Sequence, residues 1–328
     1  MTTARQHTTA EVARFETEGV EEQLNALMDT YPASLTNYIE VALTLDLDPV
    51  ELSVLVEVAH QRRFVDPLIM PEDVWRDAAT KLERVMLRAI REGSARESES
   101  NAMPGDWGSA LAKRQGSVLG AGWRAFSFAI AVQEWNASMG LVAAAPTGGA
   151  SGTIPGALAA TGEALGLDLD TLVGALFVAG LVGKVAFGRG PVSGAQAGCG
   201  GEIGVAAMMA AAAVAYLYGG SWADIDAAAA LAGQNFVGLE CCPEGGRVVY
   251  PCVPRNGSAA MTAMAFGEAA ANGQHGPYSA DYTLDRIYLV GGLLPTAFRE
   301  TGDGPWAMPA APSPCQAAGC RGCQALNN

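Results

Sequence analysis

The segment from 193 to 256 carries the sequence signals that decide the interpretation of this chain. It begins SGAQAGCGGEIG (193–204), ends GLECCPEGGRVVYPCVPRN (238–256), and is alanine-rich and almost uncharged between these motifs. Three well-separated cysteines stand in the two motifs: Cys199, Cys241 and Cys252. Zinc-finger ligands come in close pairs, so this spacing favours thiolates on separate loops around an iron–sulfur cluster. Inert cysteines buried in a core fit the same spacing.

The composition limits the classes of function. Half of the 328 residues are hydrophobic, and 20 basic against 34 acidic residues give a net charge of −14. Such a charge excludes nucleic acid and anionic membrane as partners, because both attract basic surfaces. Residues 1–16 contain no apolar signal segment, so we expect a cytoplasmic location with reduced thiols. The apolar run Ile203–Tyr218 is shorter than a bilayer span, and we predict a buried core helix there.

Hydrophobic periodicity predicts an all-α fold, a compact multi-helix arrangement with glycine-rich loops that enter a central site. Apolar residues recur three and four apart in Glu21–Met28 and in Trp75–Ile90, and alternating β-branched patterns are scarce. Asp168 and Ser221 are predicted helix N-caps, with Asp224 completing a capping box after Ser221.

The boundaries follow from shifts in composition. We expect an N-terminal helical region (1–110), a core (111–305) and a cysteine-containing tail (306–328), with a polar loop or linker over Arg91–Arg114. A last core helix is predicted from about Leu284 to Arg299.

The segment APTGGASGTIP (145–155) resembles an anion-binding loop. Small residues and hydroxyls before a helix N-terminus favour a carboxylate or phosphate there. It lacks the Gly-Lys-Ser/Thr ending of a Walker A loop and the G-x-S-x-G frame of a hydrolase, and a plain turn is the alternative. The chain also lacks a G-x-G-x-x-G in a βαβ frame and a recognisable pyridoxal lysine, so neither NAD nor pyridoxal phosphate is expected.

The tail has C-x4-C-x2-C spacing at Cys315, Cys320 and Cys323. It could hold zinc or a second cluster, fold back onto the first cluster, or remain a loose terminus.

Four motifs in order carry a family resemblance: NASMG (136–140), APTGGASG (145–152), SGAQAGCGGEIG (193–204) and GLECCPEGGRVVYPCVPRN (238–256). They resemble the α chain, or α domain, of the iron–sulfur L-serine dehydratases, a family with L-cysteine desulfidase-like relatives. The similar region spans about 115–305, which makes 111–305 the expected catalytic core.

The resemblance implies an oxygen-sensitive 4Fe-4S cluster with one iron open to act as a Lewis acid. Its expected ligands are Cys199, Cys241 and Cys252, with Cys242, Cys315, Cys320 and Cys323 as further candidates. Candidate bases, chosen by residue type, are Lys184, Glu202 and His275. The candidate substrate-binding residues are Asn136, Ser138, Thr147, Gly148, Gly149, Ser151, Gly152, Ser193, Arg255 and Asn256.

The implied reaction is β-elimination from a small L-amino acid, foremost L-serine to pyruvate and ammonia. L-cysteine desulfidation, dehydration of a specialised hydroxy-amino acid, and a non-catalytic iron–sulfur sensor or electron- or sulfur-handling protein are the alternatives. Three positions depart from the family pattern: Cys242 replaces an aspartate, Gly148 replaces an alanine, and Ala150 replaces a serine or cysteine. The family's S-S-S-H-T-like segment is absent, so either a separate β chain completes a homo- or hetero-oligomer, or the chain works without one.

Overall fold

The computed structural model describes residues 19–96, 107–113, 117–243 and 249–304. Regular structure in these ranges is helical, apart from one isolated bridge between Cys241 and Arg299, which confirms the predicted all-α class. The α-helices are α1 Val20–Met28, α2 Leu35–Leu45, α3 Pro49–Phe64, α4 Pro71–Lys81, α5 Arg88–Ala95, α6 Trp107–Lys113, α7 Gly120–Ala137, α8 Thr153–Leu165, α9 Leu169–Arg189, α10 Gly194–Cys199, α11 Val205–Leu217, α12 Trp222–Gln234, α13 Cys252–Ala271 and α14 Ala280–Leu293. Short π-helical segments span Leu82–Leu87 and Gly200–Gly204, and 3-10 turns span Gly148–Ala150 and Thr296–Phe298.

Helix α11 lies at the centre of the core. Every residue in it except Tyr216 is buried, and it packs against α8, α9, α12 and α13. Because the alanine side chains of these helices are small, the helix backbones approach one another closely. The prediction of a buried core helix over Ile203–Tyr218 is thus confirmed. Because α10 and the π-helical segment lead directly into α11, the core helix also positions Cys199 and Glu202.

Two described stretches, Leu169–Arg189 and Gly194–Leu217, have the length and hydropathy of a membrane span. Within the protein, 61% and 89% of their most apolar windows are buried, as is typical of core helices.

Helix caps follow the predicted residues. The Asp168 carboxylate accepts the Thr171 amide at 2.9 Å, and Ser221 with Asp224 forms a capping box. These side chains satisfy amides that have no partner inside the helix.

The prediction of a polar loop or linker over Arg91–Arg114 is wrong for the parts of this range that the structure describes, 91–96 and 107–113. Helix α5 continues to Ala95, and Trp107–Lys113 forms α6. No local sequence signal indicates α6, because its composition is polar and the residue that caps its N-terminus is distant in sequence. The Glu134 carboxylate accepts the amides of Trp107 at 2.9 Å and Gly108 at 2.6 Å.

The predicted last helix is displaced towards the N-terminus. Helix α14 starts after Ser279, whose hydroxyl accepts the Tyr282 amide at 3.2 Å, and ends at Leu293. Pro295 disfavours a helical conformation at the residue before it, so the helix cannot continue to Arg299. The predicted tail lies outside the described residues.

Asp281 on α14 joins the N-terminal helices to the core. Its carboxylate accepts hydrogen bonds from the Ser34 hydroxyl at 2.7 Å, the Leu35 amide at 2.9 Å, and the Thr36 amide and hydroxyl at 3.2 and 3.0 Å. Nη1 of Arg189 lies 3.5 Å from Oδ1 of Asp281. A residue about 250 positions away in sequence therefore caps α2.

We expect Asp281→Asn to lower the free energy of unfolding by about 2–4 kcal/mol, because the amide removes the charge and turns an N–H₂ towards donors. Denaturant unfolding followed by circular dichroism measures the change.

Asp77→Asn is the matched control for this variant. Asp77 pairs with Lys81 on the surface, where both side chains are more than half exposed, so its replacement should cost less than about 1 kcal/mol. Equal losses in the two variants would contradict the capping role of Asp281.

Candidate metal centre

Three separate segments carry the buried cysteines of the candidate centre. Cys199 ends α10, Cys241 lies between α12 and α13, and Cys252 opens α13; their exposures are 1%, 2% and 4%. Backbone bonds hold the middle segment, since the Cys241 amide donates to the Phe298 carbonyl at 2.7 Å and the Cys241 carbonyl accepts the Glu300 amide at 2.5 Å.

A turn at Gly198 brings the segment that carries Cys199 against the segment that carries Cys241. Gly198 has φ +67°, and a Cβ there would lie 2.6 Å from the Leu239 carbonyl oxygen. The neighbouring Gly200 amide donates to the same oxygen at 3.2 Å. Only glycine tolerates both the positive φ and the close approach of the Leu239 carbonyl oxygen at position 198.

The donor atoms of Cys199, Glu202 and Cys241 lie within 4.8 Å of one another, a spacing suited to a bound metal. A hydrogen bond with Cys199, together with burial, raises the pKa of the Cys241 thiol. Burial raises the pKa of the Cys252 thiol, and the charges of Cys199 and Glu202 raise it further, but the Cys252 sulfur is not among the donor atoms that lie within 4.8 Å of one another. Such thiols ionise when a cation compensates their charge, which makes them suitable metal ligands.

Glu202 is the carboxyl group of this centre. It lies in the π-helical segment with 9% of its surface exposed, and its Oε1 accepts a hydrogen bond from the Thr147 hydroxyl. Burial raises the pKa of Glu202, opposed by the Thr147 hydrogen bond and by Arg255. The predicted base Glu202 and the predicted substrate residue Thr147 are therefore direct neighbours.

Two glycines leave room for these groups. A Cβ at Gly149 would lie 2.6 Å from Glu202 Oε1, and a Cβ at Gly194 would lie 2.5 Å from Cys241 Sγ. Larger residues at either position would displace a donor atom of the centre. At Gly148, by contrast, a Cβ would meet nothing within 4 Å.

Asn256 ties the loop over Gly148–Thr153 to α13. Its side-chain amide donates to the Gly149 carbonyl at 2.7 Å, and its oxygen accepts the Gly152 amide at 3.1 Å and the Thr153 hydroxyl at 3.0 Å. The side chain is fully buried. Because Cys252 is one helical turn earlier on α13, Asn256 couples the loop position to the position of this cysteine.

A second amide side chain that the sequence reasoning missed supports the same loop. Gln133 on α7 is fully buried, and its Nε2 donates to the Gly148 carbonyl at 3.2 Å and to the Ser151 hydroxyl at 3.0 Å. Asn136 Nδ2 donates to the same carbonyl at 3.0 Å. A glutamine within the apolar run before NASMG was the available signal.

Two of the hydroxyl groups that were predicted to bind substrate make hydrogen bonds at the ends of helices. Ser138 donates to the Glu134 carbonyl at 2.7 Å as α7 ends. Ser193 precedes α10 and donates to the Gln196 side chain at 3.1 Å.

Arg255 is held by Glu240, another residue that the sequence reasoning missed. Arg255 Nη2 donates to both Glu240 carboxylate oxygens at 2.7 and 2.9 Å, and Nη1 donates to the Glu240 carbonyl at 2.7 Å. Burial lowers the pKa of Arg255, but Glu240 and Cys199 outweigh this effect and raise it.

Lys184 lies in a different environment. Its Nζ is 2.9 Å from Glu57 Oε2, and the pair borders a mostly apolar cavity of about 640 Å³. Residues 141–146, just before Thr147, form one wall of this cavity.

His275 lies at the far end of α12 from the thiols. Its Nε2 is 2.6 Å from Asp224 Oδ1 in the first turn of α12, and its ring is 41% exposed. The 13 residues of α12 span about 20 Å. The opposite end leads to Phe236, whose carbonyl lies beside Gly200.

Cys242 is buried, and its sulfur packs against Gly304. Cys315, Cys320 and Cys323, the other candidate ligands, lie outside the described residues.

The fold and site define an all-helical protein with a buried centre of thiols and one carboxyl group, a donor set suited to soft metals and iron–sulfur groups. The chain belongs to the serine dehydratase alpha chain family, whose family model matches residues 6–305. The family resemblance predicted from the four motifs is thereby confirmed.

Curated relatives agree with this assignment. The chain is 40% identical over 180 residues to a probable L-serine dehydratase alpha chain of Bacillus subtilis, a match covering 55% of this chain and 60% of the relative. It is 39% identical over 176 residues to the corresponding protein of Latilactobacillus sakei, covering 54% and 84%. L-serine dehydratase 2 of Escherichia coli is 38% identical over 183 residues, covering 55% and 40%. The match therefore spans less than two thirds of the first and third relatives.

We expect Gly149→Ala to destabilise the fold by about 1–3 kcal/mol, because its methyl group overlaps Glu202 and the loop must move. Thermal unfolding measures the loss. Gly148→Ala is the matched control, since the neighbouring position has free space, and its unfolding midpoint should stay near that of the parent. A control variant as unstable as Gly149→Ala would contradict this account of the loop.

Proposed function

We propose that this chain is the α part of an iron–sulfur L-serine dehydratase, which converts L-serine to pyruvate and ammonia in the cytoplasm and is completed by a separate β chain. The observation that carries the proposal is the group of donor atoms from Cys199, Glu202 and Cys241 beside the loop that contains Thr147, with the buried Cys252 near enough for their charges to raise its pKa. The names of the relatives support the substrate, and the name "alpha chain" supports the partner.

The residues of the centre fit a 4Fe-4S cluster. Cys199, Cys241 and Cys252 come from three segments, and the absence of a side chain at Gly194 leaves room for the Cys241 sulfur. When bound by these three thiolates, the cluster would supply a Lewis acid for the leaving hydroxyl group.

The loop before α8 is the proposed site for the substrate carboxylate. Helix α8 starts at Thr153, and the positive end of its dipole favours an anion. The free space beside Gly148 gives a ligand access to the loop backbone, while Asn256, Gln133 and Asn136 hold its carbonyls. The loop is therefore rigid before the substrate arrives.

Glu202 is the proposed base. Thr147 engages its Oε1, so its other oxygen, Oε2, is the one proposed to accept the Cα proton of serine. The raised pKa of Glu202 makes its carboxylate a stronger base than an exposed one. Loss of the Cα proton and the β-hydroxyl as water gives aminoacrylate. This tautomerises to an imine, and addition of water gives pyruvate and ammonia.

The first test is anaerobic purification of the full chain with iron and sulfide analysis, followed by electron paramagnetic resonance of the reduced protein. We expect about four irons and four sulfides per chain and a spectrum that changes with L-serine. A change with L-cysteine alone would indicate a desulfidase. A cluster that responds to neither amino acid and cycles reversibly would favour the sensor or electron carrier, and a chain without iron would refute the proposal.

Single cysteine variants test the ligand set. Cys199→Ser, Cys241→Ser and Cys252→Ser should each lose most of the iron, because each removes one thiolate ligand. Cys242→Ser is the matched control: its sulfur faces Gly304, and iron content should remain near that of the parent. Loss of iron in Cys242→Ser with retention in Cys252→Ser would reverse the assignment of these two cysteines.

Glu202→Gln should slow exchange of the serine Cα proton for deuterium by at least about hundredfold, because the amide cannot accept the proton. Mass spectrometry of L-serine incubated in D₂O with the reconstituted protein measures this rate, and iron analysis shows whether the cluster remains. Lys184→Met is the comparison, since Lys184 is another of the predicted bases and pairs with Glu57. Slow exchange in Lys184→Met with normal exchange in Glu202→Gln would assign the base to Lys184.

A further inference from the structure

A cavity of about 640 Å³ lies between α3, α4, α9 and the segment 141–146. Its volume is within the size range of small-molecule sites in proteins. Among the described residues, its lining includes none of the cysteines of the candidate centre, and neither Glu202 nor Thr147. The cavity and the candidate centre are therefore built from different residues, although the wall at 141–146 leads directly to Thr147.

The charged side chains in the lining of this cavity form two ion pairs. Lys184 Nζ lies 2.9 Å from Glu57 Oε2, and Gln61 Nε2 donates to Glu57 Oε1 at 2.8 Å. Asp77 and Lys81 form the other pair, with both side chains more than half exposed. The charges of the lining therefore sum to zero, and a ligand with a net charge gains no overall attraction.

The less exposed pair, Lys184 and Glu57, keeps hydrogen-bonding capacity for a ligand. The two side chains are 25% and 30% exposed. An ammonium group has three donors, of which the contact with Glu57 uses one, and each carboxylate oxygen can accept more than one hydrogen bond. A ligand with only a carboxylate would be repelled by Glu57, and one with only an amine would be repelled by Lys184. The zwitterionic head group of an α-amino acid matches both charges.

The rest of the lining suits an aromatic side chain. Gly180, Lys184 and Phe187 are four and three residues apart on α9, so they share one face of this helix. A Cβ at Gly180 would meet nothing within 4 Å, and Phe187 is 77% exposed. Phe177, also in the lining, is held by stacking on Trp75 with ring centroids 5.4 Å apart. Open space and aromatic rings thus lie on either side of the charged pair, where a ligand ring would pack favourably.

We propose that this cavity binds an α-amino acid with an aromatic side chain, whose carboxylate contacts Lys184 and whose ammonium group contacts Glu57. The aromatic ring packs in the space over Gly180, beside Phe187 and Phe177. This site is additional to the proposed serine site at the loop over Gly148–Thr153, and the inference does not depend on the proposed function.

The test is isothermal titration calorimetry of the anaerobically purified full chain with L-phenylalanine and three smaller probes. The probe 3-phenylpropanoate lacks the ammonium group, 2-phenylethylamine lacks the carboxylate, and L-alanine lacks the ring. We expect each of the three to bind at least about tenfold more weakly than L-phenylalanine, because each loses either a charge-assisted hydrogen bond or the apolar contact of the ring.

Two variants test the location and the orientation of the ligand. Gly180→Leu places a side chain in the open space and should weaken binding of L-phenylalanine at least about tenfold, whereas leucine favours the helix more than glycine does. Gly292→Leu on α14 is the matched control, since Gly292 is also an exposed helical glycine whose Cβ would meet nothing within 4 Å. Lys184→Met leaves Glu57 without its cation, so this variant should prefer 2-phenylethylamine to L-phenylalanine.

Circular dichroism shows whether each variant is folded, and Gly180→Leu decides the question if Lys184→Met is not. Equal affinities for the three phenyl compounds, or no binding of L-phenylalanine to the parent chain, would overturn the inference. So would binding that Gly180→Leu leaves unchanged and that saturating L-serine abolishes, because the amino acid would then occupy the loop over Gly148–Thr153. A chain that binds L-phenylalanine as expected but holds no iron would refute the proposed function and support this inference.

Discussion

The geometry of the centre depends on the close packing of α11 against α13. The first helix continues from the segment that carries Cys199 and Glu202, and the second carries Cys252, Arg255 and Asn256. Small residues permit the approach: a Cβ at Gly267 on α13 would lie 2.6 Å from the Val214 side chain on α11. A larger residue there would push the helices apart and separate the thiols, although it would touch none of them. The alanine-rich composition of the core is therefore a requirement of the site.

The loop over Gly148–Thr153 depends on this packing in turn. The carbonyls of Gly148 and Gly149 accept hydrogen bonds from side chains of α7 and α13. Asn256 alone contributes one donor and one acceptor to it, so a shift of α13 would move the loop and Cys252 together. A substrate held by the loop and a group held by the cysteines would keep their mutual distance. Such coupling between binding and reacting groups is what a proximity-dependent reaction requires.

Much of the fold could be predicted because local signals agreed with tertiary structure. Asp168, Ser221 and the run over Ile203–Tyr218 each determine nearby structure through their own chemistry. The misplaced elements depend on distant partners: α6 is capped by Glu134 across a sequence separation of 26 or 27 residues. Sequence spacing does not reveal such pairs, so a polar stretch was predicted to be a loop.

The same distinction applies to the site. The family resemblance indicated the candidate groups of the centre, whereas the cysteine spacing alone also fitted inert buried thiols. Residue type alone could not separate Glu202 from Lys184 and His275, since all three are plausible bases by chemistry. Their positions differ because Lys184 has Glu57 and His275 has Asp224 as partners on other helices. Gln133 and Glu240 were missed because each acts through a neighbour whose position only the folded chain defines.

Cys242 shows how a departure from the family pattern can leave the donor set intact. Its side chain is 1% exposed and packs against Gly304, in the segment that also bonds the backbone of Cys241 through Phe298 and Glu300. A carboxylate at this buried position needs a compensating partner, whereas a thiol packs there as a small apolar group. The substitution therefore changes how the 297–304 segment packs behind Cys241.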